Sequence, residues 1–141
     1  MQDTHAREDG CVFCEIISGQ CAARIVCETA DVLCFLPLKM EVLGHTLIVP
    51  KVHFADVYDA PKAALAAVAT ASKDLAIAYR RKIGATGANF LNASGKDAEQ
   101  SVFHFHVHLL PRFARDGLST WPRLPQAEFD HDAVLAQLLA D

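Results

Sequence analysis

Three histidines recur at every second position in the run FHFHVHLLP over residues 103–111: His104, His106 and His108. Imidazole can attack, carry a proton or bind a metal near neutral pH, because its unperturbed pKa lies near 6.5. On a strand, side chains alternate between faces, so the three imidazoles share one face and Phe103, Phe105, Val107 and Leu109 the other. Four residues at roughly 3.3 Å each place His104 and His108 about 13 Å apart, whereas metal–nitrogen bonds are only about 2 Å long. One ion therefore does not collect all three, and the run implies at least two roles. Either neighbours at i and i+2 chelate a metal that activates water, or one imidazole attacks while the others position or polarise the substrate.

Cys11 and Cys14, in the run CVFC, stand one helical turn apart. That is a zinc-ligand spacing, and two imidazoles would complete a closed tetrahedral Cys2His2 site, which is structural because it leaves no position for water. Spacing alone is weak evidence, since two cysteines on a half-buried helix look the same. The five cysteines, at 11, 14, 21, 27 and 34, fit reduced thiols or a metal site better than a disulfide framework, and hence a cytoplasmic setting.

The elements that must position these groups follow from the apolar pattern. Residues 1–10 are polar and read as a loose arm without the apolar core of a signal peptide. Val12, Phe13, Ile16 and Ile17 mark a short amphipathic helix that stops near Gly19. Strands are predicted at 24–28, 32–36 and 46–49, and their close succession implies antiparallel pairing. Leu65, Val68, Leu75, Tyr79 and Ile83 recur at helical spacing over 61–83, with Asp59 and Gly84 suited to the caps. Residues 89–93 read as a strand, 94–101 as a polar loop, and 102–110 as a strand carrying the histidines. A weak helical pattern at 133–140 ends the chain. Strands, one main helix and further strands make an α+β domain.

At 141 residues and 52% hydrophobic content the chain forms one ordinary domain. A net charge of −4 without a basic run argues against nucleic acid or a membrane surface as partner, and leaves room for a small phosphorylated ligand.

Taken together, Gln100-Ser-Val-Phe-His104-Phe-His-Val-His108, Gly44-His-Thr-Leu-Ile-Val-Pro-Lys-Val-His53 and Cys11-Val-Phe-Cys-Glu-Ile-Ile17 resemble the histidine triad (HIT) nucleotide hydrolases and transferases over about residues 11–112. The resemblance implies a HIT fold: a five-stranded antiparallel sheet, one long helix and a short N-terminal helix. Residues 11–112 would form the domain, and 113–141 a tail packed on it or on a partner in a homodimer. It implies a purine nucleotide substrate, an AMP derivative, attacked at the α-phosphorus by His106, with His108 bonding phosphate oxygens and His104 in support. His45, Asn92, Gln100 and Ser101 would contact phosphate or leaving group, and Val12, Phe13, Ile16, Phe35 and Leu38 would line the nucleoside slot. In zinc-bearing members the ligands correspond to Cys11, Cys14, His53 and His104; the zinc is structural, and the chemistry needs no cofactor. The implied activity is hydrolysis of a nucleoside phosphoramidate or related AMP derivative. Its rivals are dinucleoside polyphosphate hydrolysis, nucleotide binding without turnover, and a metal-activated hydrolase.

The chain departs from the family pattern at three places. Pro37 stands where many members carry an acidic ribose ligand, with Glu41 a candidate substitute. Ala98-Glu99 precedes Gln100 where glycine is common. The segment 112–123 is long, and Trp121 within it is a candidate to reach a partner's site.

Overall fold

The computed structural model describes residues 7–141, so most of the arm expected at 1–10 lies outside the described residues. In chain order it contains α1 (Val12–Ile17), β1 (Arg24–Glu28), β2 (Val32–Leu36), β3 (Thr46–Pro50), α2 (Lys62–Ile83), β4 (Gly87–Leu91), one 3-10 turn at Lys96–Ala98, β5 (Val107–Arg112) and α3 (His131–Leu139). The strands form one five-stranded sheet in the order β1-β2-β3-β5-β4, and every neighbouring pair is antiparallel. The expected α+β architecture is present, with a long helix and short flanking helices.

The sheet buries both faces at its centre. Val32, Cys34, Ile48, Phe105 and Leu109 pack with Val68, Ala71 and Leu75 of α2. On the opposite face Leu33, Phe35, Leu47 and Val49 close around Phe13 of α1. Burial of each such large side chain stabilises the fold by about 2 kcal/mol. β3 is buried along its whole length, which makes it the frame against which the histidine segment is set.

Four details differ from the sequence expectation. The histidine strand begins at Val107, not at 102, because β3 pairs with β5 only through Thr46↔Leu109, Leu47↔His108 and Ile48↔Val107. Beyond that point the Phe105 N–H goes to the Phe54 carbonyl and the His104 Nε2–H to the Pro50 carbonyl, so residues 102–106 fold onto the turn after β3. Phe103 consequently lies half-exposed instead of sharing a core face with Phe105. The strand expected at 89–93 is shifted to Gly87–Leu91, which releases Asn92 from the sheet. Asp59 does not cap α2: its carboxylate accepts the Ala55 N–H at 2.8 Å, and Pro61 takes the N-cap position. Gly84 ends α2 in the left-handed conformation, as expected.

Past β5, Arg112 holds the chain in a turn through paired bonds of 2.8 Å to both oxygens of Asp116, one of 3.0 Å to Asn89 Oδ1 and one to the Leu118 carbonyl. Asp130 caps α3 by accepting the Asp132 and Ala133 N–H groups. No residue of α3 is buried, and Trp121 is mostly exposed. Among the described residues, no helix is long and apolar enough to cross a membrane.

Candidate active site and metal centre

Four soft donors converge where α1, the turn after β3 and the histidine segment meet. One ligand atom from each of Cys11, Cys14, His53 and His104 lies within 4.8 Å of the others. Cys14 Sγ is 3.4 Å from His53 Nδ1 and 3.6 Å from His104 Nδ1, Cys11 Sγ is 3.5 Å from His104 Nδ1, and the two Nδ1 atoms are 3.1 Å apart. The His104 Nε2–H donates to the Pro50 carbonyl at 2.8 Å, so its Nδ1 presents a lone pair to the cluster. Without a cation this grouping is unfavourable. Burial pushes the Cys14 thiol up to about 11 and His104 down to about 4, disfavouring both charged forms. Two thiols and two imidazoles, Cys14 and His104 buried and Cys11 and His53 partly so, form a Cys2His2 set of the kind that holds structural zinc, whose four protein ligands leave no coordination position for a reacting water.

The other two histidines turn away from that cluster. The His106 Nδ1–H donates to the His104 carbonyl at 2.7 Å, which leaves Nε2 as a bare lone pair. Burial lowers the pKa of His106, with this hydrogen bond opposing, so the neutral ring prevails at pH 7. Gly44, in the left-handed conformation at φ 80°, makes the turn that brings His45 to the head of β3. A β-carbon there would stand 3.1 Å from both Ile83 and Pro111. The Glu41 N–H donates to His45 Nδ1 at 3.2 Å, so the His45 proton sits on Nε2. That N–H meets His108 Nδ1 at 2.9 Å, and the remaining His108 proton is therefore on Nε2. Burial, with His106 and His45 adding to it, pushes His108 down to about 4. The sum is one lone pair and one N–H on adjacent rings 5.0 Å apart, suited to attack at phosphorus and to bonding its oxygen.

Of the expected substrate contacts, several are occupied by the protein itself. Asn92 Nδ2 donates to the His106 carbonyl at 2.9 Å, and its Oδ1 accepts from Ser94. Gln100 is buried, giving both amide protons to the Ala55 and Val102 carbonyls and accepting the Gly95 N–H. Both residues thus shape the loop behind the histidines. Ser101 is exposed and, with Val12, lines a cleft of about 300 Å³ beside His53. His45 acts on His108 from within the protein.

The expected nucleoside slot is only partly assembled. Phe13 meets Phe35 edge-on at 5.5 Å and His106 at 5.2 Å, and Ile16 packs beside them. Val12 is half-exposed, whereas Leu38 projects fully into solvent, outside this cluster. Two features were not legible in the sequence: the hydrogen bond linking His45 to His108, and Glu8, whose carboxylate lies 2.7 Å from His53 Nε2. Neither has a local sequence signal, because each partner pair is far apart in the chain.

Comparison with known proteins agrees with this geometry. The chain is 37% identical over 107 residues to Protein hit of Bacillus subtilis, a match covering 76% of this chain and 74% of that one. It is 31% identical to the adenylylsulfatase HINT3 of Arabidopsis thaliana, covering 94% of this chain and 68% of that one. A crystal structure of a zinc-bound histidine triad family protein from Mycobacterium smegmatis superposes with a TM-score of 0.76 at 36% identity, covering 92% of this chain and 95% of that one. The HIT domain family matches residues 18–115, and with these relatives the chain belongs to the HIT family.

Proposed function

We propose that this HIT protein is a nucleotide hydrolase acting on a nucleoside phosphoramidate or related AMP derivative. The observation that carries the reading is the bond from the His106 Nδ1–H to the His104 carbonyl, which leaves Nε2 unprotonated and beside the His108 ring. In the first step Nε2 of His106 forms a bond to the α-phosphorus while the bond to the leaving group breaks. An amine leaving group takes up a proton from solvent water as it departs, and a sulfate leaves as the anion. The His108 Nε2–H, held outward by His45, bonds the phosphate oxygen as charge builds on it. Water then attacks phosphorus and gives up a proton to bulk solvent, the P–N bond to His106 breaks to return the neutral ring, and the nucleoside monophosphate is released. An adenylylsulfatase among the relatives supports an AMP derivative as the substrate class.

Zinc held by Cys11, Cys14, His53 and His104 cross-links α1, the turn after β3 and the histidine segment when bound. The His104 carbonyl that receives the His106 proton is thereby anchored at a metal ligand. A homodimer is supported by an apolar groove of about 670 Å³ between α2 and β4, with Ile77 and Phe90 exposed beside it, and by β4 standing at the edge of the sheet.

The test is mass spectrometry of quenched reactions with an adenylyl phosphoramidate and with adenylyl sulfate. The wild type should carry a transient adenylyl adduct on His106 and release AMP. An adduct persisting in His106→Ala, or nucleotide binding without any adduct in the wild type, would overturn the reading.

A further inference from the structure

His53 supplies Nδ1 to the four-residue cluster, so in its neutral form the proton must sit on Nε2. That nitrogen is fully buried, and within the described residues it has no aligned hydrogen-bond partner. A buried N–H without an acceptor is costly. One anionic group stands within reach: the Glu8 carboxylate, with Oε2 2.7 Å from Nε2 in an ion-pair approach. Glu8 lies on the polar segment ahead of α1, and its carbonyl accepts the Cys11 N–H at 3.2 Å. One residue therefore touches two of the four ligands, Cys11 through its backbone and His53 through its side chain.

We propose that Glu8 is the positioning residue of the metal site, its carboxylate accepting the His53 Nε2–H so that Nδ1 is held toward the ion. A carboxylate behind a metal-bound imidazole fixes the tautomer and the ring orientation and raises the basicity of the ligand nitrogen. It also draws the N-terminal arm into the site. The ion thereby joins that arm, through Cys11 and His53, to the segment that holds His106. The proposal rests on the zinc reading of the four ligands, and its test separates the two.

Zinc affinity of the full chain is measured by competition with a chromophoric chelator, and the ligand field by the visible spectrum of the cobalt-substituted protein. Wild type should bind one ion per chain with a tetrahedral cobalt spectrum. Glu8→Ala should bind it about 10- to 100-fold more weakly, with an altered cobalt spectrum. Glu8→Gln, which keeps an acceptor oxygen, should recover part of that loss, and Asp9→Ala, which removes the same charge one residue along, should match wild type. If wild type itself takes up no metal, the zinc reading fails. If wild type binds metal and Glu8→Ala binds it as tightly, or Asp9→Ala loses as much as Glu8→Ala, the assignment of Glu8 is overturned.

Discussion

The two halves of the histidine segment use the same side chain in opposite ways. Around His104, ring nitrogens and thiols point inward at one another, Nδ1 to Nδ1 at 3.1 Å, and one ligand atom of each residue is spent on the cluster. Around His106 and His108, backbone groups and His45 consume one nitrogen of each ring and leave the other free. β5 places His108 and the segment folded onto the turn after β3 places His104 and His106, and the hydrogen bond on the far nitrogen decides what each can do. A ring whose Nε2–H is tied to a carbonyl offers Nδ1, whereas a ring whose Nδ1–H is tied offers Nε2.

The largest effects come from breaking each half separately. His106→Ala should lower turnover by about 10⁴-fold or more, since it deletes the attacking nitrogen. Zinc content and the circular dichroism spectrum should remain those of wild type, because the metal ligands are untouched. Cys14→Ser should do the reverse: zinc content falls, and thermal unfolding moves down by many degrees, since metal binding free energy is folding free energy here. Its remaining folded fraction should still form the adenylyl adduct. Equal loss of adduct in the folded fractions of both variants would erase the distinction between the halves.

Much of this was readable from residue order. The short helix with Cys11 and Cys14 and the buried strand before Lys51 each have a local pattern, and they fell where the pattern put them; of the alternating histidines only His108 lies on the strand. What failed was regularity at the site itself. A period of two predicts one long strand, but Pro50 ends the useful ladder and its carbonyl accepts the His104 ring, so His104 and His106 leave the sheet. Asn92 and Gln100 have the residue types expected of substrate contacts, yet they bond neighbouring backbone, a use that depends on loop closure between positions far apart in the chain. Leu38 could not be placed because the loop after β2 turns it outward.

His45 tests the reactive half more finely. His45→Ala removes the acceptor for the Glu41 N–H and the donor to His108 Nδ1, so His108 is free to change tautomer. Turnover should fall about 10- to 100-fold with a smaller change in KM, the signature of an interaction that matters most in the transition state. The pH profile sharpens the same point. Attack requires neutral His106, and its folded pKa is depressed by burial, so activity should persist below pH 6.5 and fall only at lower pH. Stability of the metal-free protein moves in the same direction. His104 has its pKa pushed by burial from 6.5 down to about 4, so its contribution is fully present above about pH 6.5 and is lost as pH falls toward 4. At about 1.4 kcal/mol per pH unit this one ring accounts for on the order of 3 kcal/mol, measurable by denaturant unfolding at several pH values.

The smallest expected effect lies in the loop behind the reactive half. Glu99 sits at φ 65° and ψ 30°, a left-handed conformation that disfavours a side chain, directly before Gln100 and Ser101. Glu99→Gly relieves that strain but adds freedom to the unfolded chain, so the net gain should be at most about 1 kcal/mol, or about 3 °C in Tm. The same substitution removes a negative charge one residue before Gln100, which the resemblance assigns to phosphate or leaving group. KM for a dinucleoside polyphosphate should fall more than KM for an adenylyl phosphoramidate, since repulsion scales with the charge of the substrate. Equal changes for the two substrates would mean that the Glu99 carboxylate faces solvent and takes no part in choosing the leaving group.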